Sequence, residues 1–205
     1  MVAAVLAAVL LPAALAGCTS GTEPGPNYSS VSASPSASDT APHSPTASPS
    51  PSVPTTGPNV SPGESPPTPI PTVSSDSSDG ALAFATYYIK MLDWVYATSQ
   101  PAIVRTFYAD GCTNCLTFLS NLESQVAGGH TYRGSRLSID RQAIVTNDGR
   151  MSATFAVSTE LTASPLQIVD GAGSISNQGP QTTITLTNWL KWLGTGWTIV
   201  DQGKA

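Results

Sequence analysis

The stretch ALAFATYYIKMLDWVYA, residues 81–97, decides the fold. If it forms a helix with about 100° per residue, apolar and aromatic side chains cover about two-thirds of the circumference. The remaining arc holds Thr86, Lys90, Asp93 and Ala97. A helix with so little polar surface must be covered by other elements. The rest of the folded chain is therefore predicted to wrap this helix.

The composition divides the chain into two parts. All 8 Lys and Arg residues follow residue 79, whereas most of the 18 prolines lie between Pro24 and Pro71. Residues 79–205 are long enough for one hydrophobic core. Residues 18–78 are dominated by Ser, Thr and Pro, which bury too little apolar surface to offset backbone ordering. The sequence predicts a disordered linker over 18–78 and a domain over 79–205.

The charge argues against nucleic-acid binding. The net charge of −5 comes mainly from acidic residues before residue 79, and the predicted domain is nearly neutral. No cluster of Lys and Arg is present in the sequence to neutralise phosphates.

An apolar run at the N-terminus predicts export. Residues 2–16, VAAVLAAVLLPAALA, are too few to span a bilayer but suit the apolar part of a signal peptide. The run is followed by Leu15-Ala16-Gly17-Cys18, which resembles the bacterial lipobox. The resemblance implies a lipoprotein signal peptide over 1–17 and lipid on the Cys18 thiol. Two or more acyl chains would hold the protein on the extracytoplasmic face of the cell membrane.

The pattern after the first helix predicts an α+β domain. Two more helices are expected over 101–109 and 112–127, the latter ending at Gly128-Gly129. Beyond them the apolar period changes to two, which indicates strands. A hairpin turn is expected at Asn147-Asp148-Gly149 and a loop over 170–181. The predicted strands are 132–140, 141–146, 151–160, 165–169, 182–193 and 197–201.

This order of elements resembles the nuclear-transport-factor-two-like, or SnoaL-like, cone fold. There, three N-terminal helices pack in a curved antiparallel sheet, with the long first helix in its concavity. The lipobox, the Ser/Pro linker, YYIKMLDWVYAT (87–98) and DGCTNC (110–115) also resemble an uncharacterised lipoprotein family of high-GC Gram-positive bacteria. The resemblance implies an extracytoplasmic cone-fold domain and carries no known activity or site residues.

Cys112 and Cys115 form a C-x-x-C pair with two interpretations. One is a redox pair, which in thioredoxin-like proteins follows a strand in a βαβ unit. The other, favoured here because a helix precedes the motif, is a structural disulfide in an oxidising compartment. With both cysteines paired and His130 as the domain's one histidine, the sequence offers too few ligands for zinc and predicts neither metal nor cofactor.

The polar arc of the first helix also has two interpretations. Asp93 could be a general base in a pocket with Tyr87, Tyr88 and Trp94. The favoured alternative is a solvated helix edge on which Asp93 pairs with Lys90. The sequence identifies no catalytic residue.

Three tryptophans crowd the last predicted hairpin. Trp189 and Trp192 have opposite parity on one strand, so one is expected to face the core and the other to face outward. The outward tryptophan would either belong to an interface or sugar-stacking surface, or be covered by a neighbouring element; the second is favoured.

Three functions remain open from the sequence. The leading hypothesis is a non-enzymatic, lipid-anchored surface module that binds a protein, an envelope component or a small apolar ligand. The alternatives are a SnoaL-like isomerase or hydrolase and a structural spacer, and a homodimer stays open. An enzyme should bring two ionisable side chains together in the cavity, such as Asp93 and Glu160, whereas a binding module should have an apolar cavity.

Overall fold

A computed structural model describes residues 52–204. The predicted signal peptide (1–17), Cys18 and the first part of the predicted linker lie outside the described residues. The three longer helices are α1 (Ser78–Thr98), a 3₁₀ helix (Pro101–Phe107) and α2 (Thr113–Ala127), and a short 3₁₀ turn (Pro71–Ser74) precedes them. The strands are β1 (Thr131–Gly134), β2 (Leu137–Val145), β3 (Phe155–Ala163), β4 (Leu166–Val169), β5 (Ile175–Gly179), β6 (Thr182–Trp192) and β7 (Trp197–Lys204).

The strands form two antiparallel sheets. One has the order β2-β3-β6-β7, and the other has the order β1-β4-β5. The mixed α+β class, with three helices before antiparallel strands, is confirmed. Helix α1 begins at the N-cap Ser77, whose hydroxyl accepts a hydrogen bond from the Gly80 amide at 3.1 Å. Asp79, expected from the sequence to be the cap, instead lies in the first turn.

Helix α1 is buried over most of its surface. Its buried residues include Tyr88, Trp94 and Val95, each no more than 1% exposed. They share one hydrophobic cluster with residues of the 3₁₀ helix, α2, β3, β6 and β7. The helix ends where Ser99 adopts the left-handed conformation with φ of 54°.

The chain between residues 54 and 64, here called the strap, packs against the end of α1. The indole Nε1 of Trp94 donates to the Pro54 carbonyl at 2.9 Å. The Asn59 backbone amide donates to the Ala97 carbonyl at 2.9 Å, and its side chain donates to the Gly134 carbonyl at 2.7 Å. Residues 54–64, which belong to the predicted 18–78 linker, thus contact the predicted domain. They do so through isolated hydrogen bonds, which leave no periodic pattern in the sequence.

A backbone kink separates β1 from β2, where the sequence predicts a continuous strand over 132–140. Gly134 and Ser135 both have positive φ, at 70° and 53°. At Gly134 a Cβ atom would lie 2.1 Å from the Pro165 carbonyl oxygen, so the close approach of the two chains requires glycine. Arg136 belongs to the two-residue connection that follows this kink, between the end of β1 and the start of β2.

The connection from β2 to β3 is longer than the hairpin turn predicted at Asn147-Asp148-Gly149. Gly149 has the expected positive φ of 77°, but a 3₁₀ turn follows over Arg150–Ser152. Because Met151 and Ser152 also have positive φ, the predicted strand over 151–160 begins only at Phe155. Residues 170–181 are predicted to be a loop, but in the structure they contain β5, which pairs with β4.

The predicted disulfide between Cys112 and Cys115 is present, with the two Cα atoms 5.3 Å apart. Cys112 is the N-cap of α2, and both residues are no more than 1% exposed. A redox cysteine needs a sulfur that a partner thiol can reach, so this burial supports a structural role.

Replacing both cysteines by serine should lower the free energy of unfolding by about 2 kcal/mol, the chain-entropy value for so short a loop. Urea denaturation of the oxidised protein and of the double variant measures the difference. A variant as stable as the parent would show that the bond does not stabilise the start of α2.

Candidate functional site

A cavity of about 370 Å³ lies between the helices and the four-stranded sheet. Two residues of α1 and two of α2 line one side, and residues of β2, β3, β6 and β7 line the other. The lining residues are Leu92, Tyr96, Asn114, Phe118, Leu137, Leu161, Ile184, Leu186, Gln202, Gly203 and Lys204.

The cavity lining is mostly apolar. Six of its side chains are Leu, Ile or Phe, and among the lining residues Lys204 alone carries a formal charge. Lys204 is exposed at the end of β7. Glu160, proposed from the sequence as a partner for a catalytic carboxylate, instead pairs with Arg141 at 2.9 Å. No two carboxylates, and no carboxylate with a histidine, meet among the residues that line this cavity.

A hydrogen-bonded network of buried polar side chains ends at the cavity. The hydroxyls of Tyr88 and Tyr108 are 2.8 Å apart. The Gln202 amide nitrogen donates to the Tyr88 hydroxyl at 2.8 Å and to Asn188 Oδ1 at 2.9 Å. Gln202 is the member of this network that also lines the cavity, and it is 8% exposed.

The tyrosines around this network lie in a strongly dehydrated environment. Burial raises the pKa of the Tyr88 and Tyr108 hydroxyls above the ordinary value of 10.0. Burial, with the nearby Tyr132 as a smaller cause, raises the pKa of Tyr96 to about 12. The environment therefore disfavours charge at this end of the cavity.

Asp93 is paired with an arginine outside the cavity. Arg136 Nη2 donates to Asp93 Oδ2 at 2.7 Å, and the Leu137 amide donates to Asp93 Oδ1 at 2.7 Å. Arg136 also binds Glu64 of the strap through two hydrogen bonds. Asp93, Arg136 and Glu64 form what we call the ion cluster. The favoured Lys90–Asp93 pair is absent among residues 52–204, since Arg136 takes its place.

The other residues of the predicted pocket also lie elsewhere. Tyr87 lines a separate pocket together with Val53, which lies just before the strap. Tyr88 is fully buried and does not line the cavity, but its hydroxyl accepts a hydrogen bond from Gln202, which does. Trp94 packs in the core and binds Pro54. None of the four predicted residues lines the cavity, while Tyr96 and Gln202 do.

The outward tryptophan of β6 is Trp189, and a loop covers it. Its Nε1 donates to Asp148 Oδ1 at 3.0 Å, and the Arg150 guanidinium lies 4.4 Å from its ring centre. Trp189 is consequently 9% exposed. Trp192 packs edge-on against Trp197 with ring centres 5.2 Å apart. The tryptophans do not form an open stacking surface in the described part of the chain.

Two further findings concern the described residues alone. Within residues 52–204, no group of three His, Cys, Asp or Glu side chains is placed to hold a metal ion. In the same range, no helix has the length and apolar character needed to cross a membrane. His130 is half-buried beside Ser176, with 3.5 Å between its Nδ1 and the hydroxyl.

Comparison with known proteins gives one family and distant structural likenesses. A family described as "Family of unknown function (DUF6318)" matches residues 59–203. No curated protein matches the chain. The intermembrane space region of the chloroplast protein ARC6 is 10% identical with a TM-score of 0.45, over 63% of this chain and 97% of that one. Aln2 from a Streptomyces species is 12% identical with a TM-score of 0.40, over 62% and 91%.

Proposed function

The chain belongs to the DUF6318 family, a family of unknown function, and we propose that it is a non-enzymatic binding module. The proposed ligand is a small apolar molecule, bound in the cavity between the helices and the four-stranded sheet. The observation that carries the proposal is the lining itself, which is apolar and lacks a pair of ionisable side chains. The volume of about 370 Å³ is at the lower end of the range of roughly 300–1,000 Å³ common for ligand pockets.

The finer fold proposal is a cone. Three helices precede the strands, and the cavity has α1 and α2 on one side and β2, β3, β6 and β7 on the other. This arrangement supports a curved sheet around the helices, as the sequence predicts. A SnoaL-like enzyme would use acid–base residues inside the cone. The carboxylates considered for that role, Asp93 and Glu160, are each held by an arginine outside the cavity.

The location of the module is proposed from the sequence. A lipid on Cys18 would anchor the chain to the extracytoplasmic face of the cell membrane. The ligand would then be an apolar envelope component or a molecule exchanged with a surface partner.

A test of the anchor is metabolic labelling with a tagged fatty acid in an expressing bacterium. We expect label on the parent chain and none on Cys18→Ala. A Cys115→Ala variant is the control, because Cys115 lies in the folded domain and should leave the label unchanged. Label that persists in Cys18→Ala would overturn the proposed anchor.

A test of the binding function is mass spectrometry of molecules that co-purify with the full chain. We expect an apolar small molecule bound to the parent and absent from Ile184→Trp, whose larger side chain fills the cavity. The matched control is Ile144→Trp, because Ile144 is 37% exposed and does not line the cavity. A parent chain free of ligand, or a ligand retained by Ile184→Trp, would contradict the proposal.

A further inference from the structure

The buried, hydrogen-bonded side chains beside the cavity include polar atoms that take no part in the hydrogen bonds among them. Asn188 is fully buried, and its Nδ2 has no partner among residues 52–204. Gln202 uses its amide nitrogen twice, so its own carbonyl oxygen takes no part in these bonds. A buried polar atom without a partner is unfavourable, and each such atom in a folded protein calls for an explanation.

The Gln202 amide has an atom outside these bonds whichever way the amide groups of Gln202 and Asn188 are oriented. If both amides rotate by 180°, Gln202 accepts from Tyr88 and Asn188 instead of donating to them. In that arrangement Gln202 Nε2, in place of its carbonyl oxygen, takes no part in these bonds. Because Gln202 lines the cavity and Asn188 does not, a ligand group that can both donate and accept, such as an amide or a hydroxyl, is complementary to the Gln202 amide in either arrangement.

The same end of the cavity is unsuited to a charged group. Four polar but uncharged side chains, those of Tyr88, Tyr108, Asn188 and Gln202, make up the network, and each is no more than 8% exposed. Moving a carboxylate or an ammonium group into such surroundings without a counter-charge is strongly unfavourable. The charged lining residue, Lys204, is exposed at the end of β7, whereas the four side chains of this buried group carry no charge.

We propose that the ligand is a neutral amphipathic molecule, with an apolar body against Leu161, Ile184 and Phe118 and a single amide or hydroxyl group hydrogen-bonded to Gln202. Tyr88 and Asn188 are positioning residues, since they hold the Gln202 amide from two sides. This inference rests on the proposed function, because it assigns chemistry to the occupant of the same cavity. It makes Gln202 the residue that determines specificity.

The experiment compares three probes that share one apolar body and differ in the head group: phenylpropanamide, propylbenzene and phenylpropanoate. Each is titrated into the full chain, and binding is followed by NMR. We expect the amide to bind about tenfold more tightly than either of the others, which corresponds to one well-placed hydrogen bond. We also expect the side-chain amide signals of Gln202 and Asn188 to shift with the amide and not with propylbenzene.

The outcomes separate this inference from the function on which it rests. Equal affinity for the amide and propylbenzene, or tightest binding of phenylpropanoate, would overturn the inference while leaving an apolar binding site. No binding of any probe would overturn both. In a Gln202→Met variant the preference for the amide over propylbenzene should disappear. If that variant fails to fold, the comparison of probes on the parent chain decides the question.

Discussion

A chain that begins at residue 79 should be less stable than one that begins at residue 52 by at least about 3 kcal/mol. The shorter chain lacks the Ser77 cap of α1, for which about 1 kcal/mol is typical. It also lacks the Pro54 carbonyl that pairs with Trp94 and the Glu64 carboxylate that pairs with Arg136, each a loss of about 1 kcal/mol or more. Urea denaturation of the two purified chains gives the difference in the free energy of unfolding.

The control for this comparison is the full chain, which should match the chain that begins at residue 52. Equal stability of the chains that begin at residues 52 and 79 would show that the strap adds nothing to the fold. In that case the predicted boundary at residue 79 would describe the folded unit correctly.

Arg136→Met should lower the free energy of unfolding by about 2–3 kcal/mol, less than the roughly 3–5 kcal/mol typical of a fully buried pair because the cluster is partly exposed. The Arg136 side chain is 36% exposed, whereas Asp93 is 17% exposed and would lose its counter-charge. The matched control is Arg141→Met, which breaks the more exposed pair with Glu160 and should change stability by less than about 1 kcal/mol. Equal effects of the two variants would contradict the proposed importance of the ion cluster.

The ion cluster also predicts how stability changes in acid. The hydrogen bonds from Arg136 and then that from the Ser61 amide lower the pKa of Glu64 from 4.5 to about 2. Because this pKa is lower in the folded chain, its contribution is complete above pH 4.5 and is lost as the pH falls towards 2. The parent should therefore lose more stability than Arg136→Met between these values. Parallel curves of unfolding free energy against pH would show that Glu64 does not contribute.

The sequence predicts those elements that repeat a pattern over many residues. The apolar surface of residues 81–97 identifies α1, and the period of two identifies β3 and β6. Features that depend on a few distant contacts leave no such pattern. β5 reads ISNQG, whose exposed side chains carry no alternation, and its pairing with β4 is visible only in space.

The site escapes prediction for a related reason. Asp93 and Arg136 are 43 positions apart, and no local pattern indicates that they pair. Lys90 is the nearer cation in sequence, and the helical spacing therefore favours it. Gln202 carries no such signal, because it stands between Asp201 and Gly203, just beyond the predicted strand over 197–201. Its partners Tyr88 and Asn188 are also far from it in sequence, and no local pattern indicates that the three side chains meet.

The strap has a mechanical consequence. A force pulling on the chain before residue 52 reaches the domain at the last turns of α1, where Pro54 binds Trp94 and Asn59 binds Ala97, and not at the first turn near Ser77. Several bonds must then break before the load passes to the helix start. The contacts of the strap would therefore carry the load first, next to Leu92 and Tyr96 of the cavity wall.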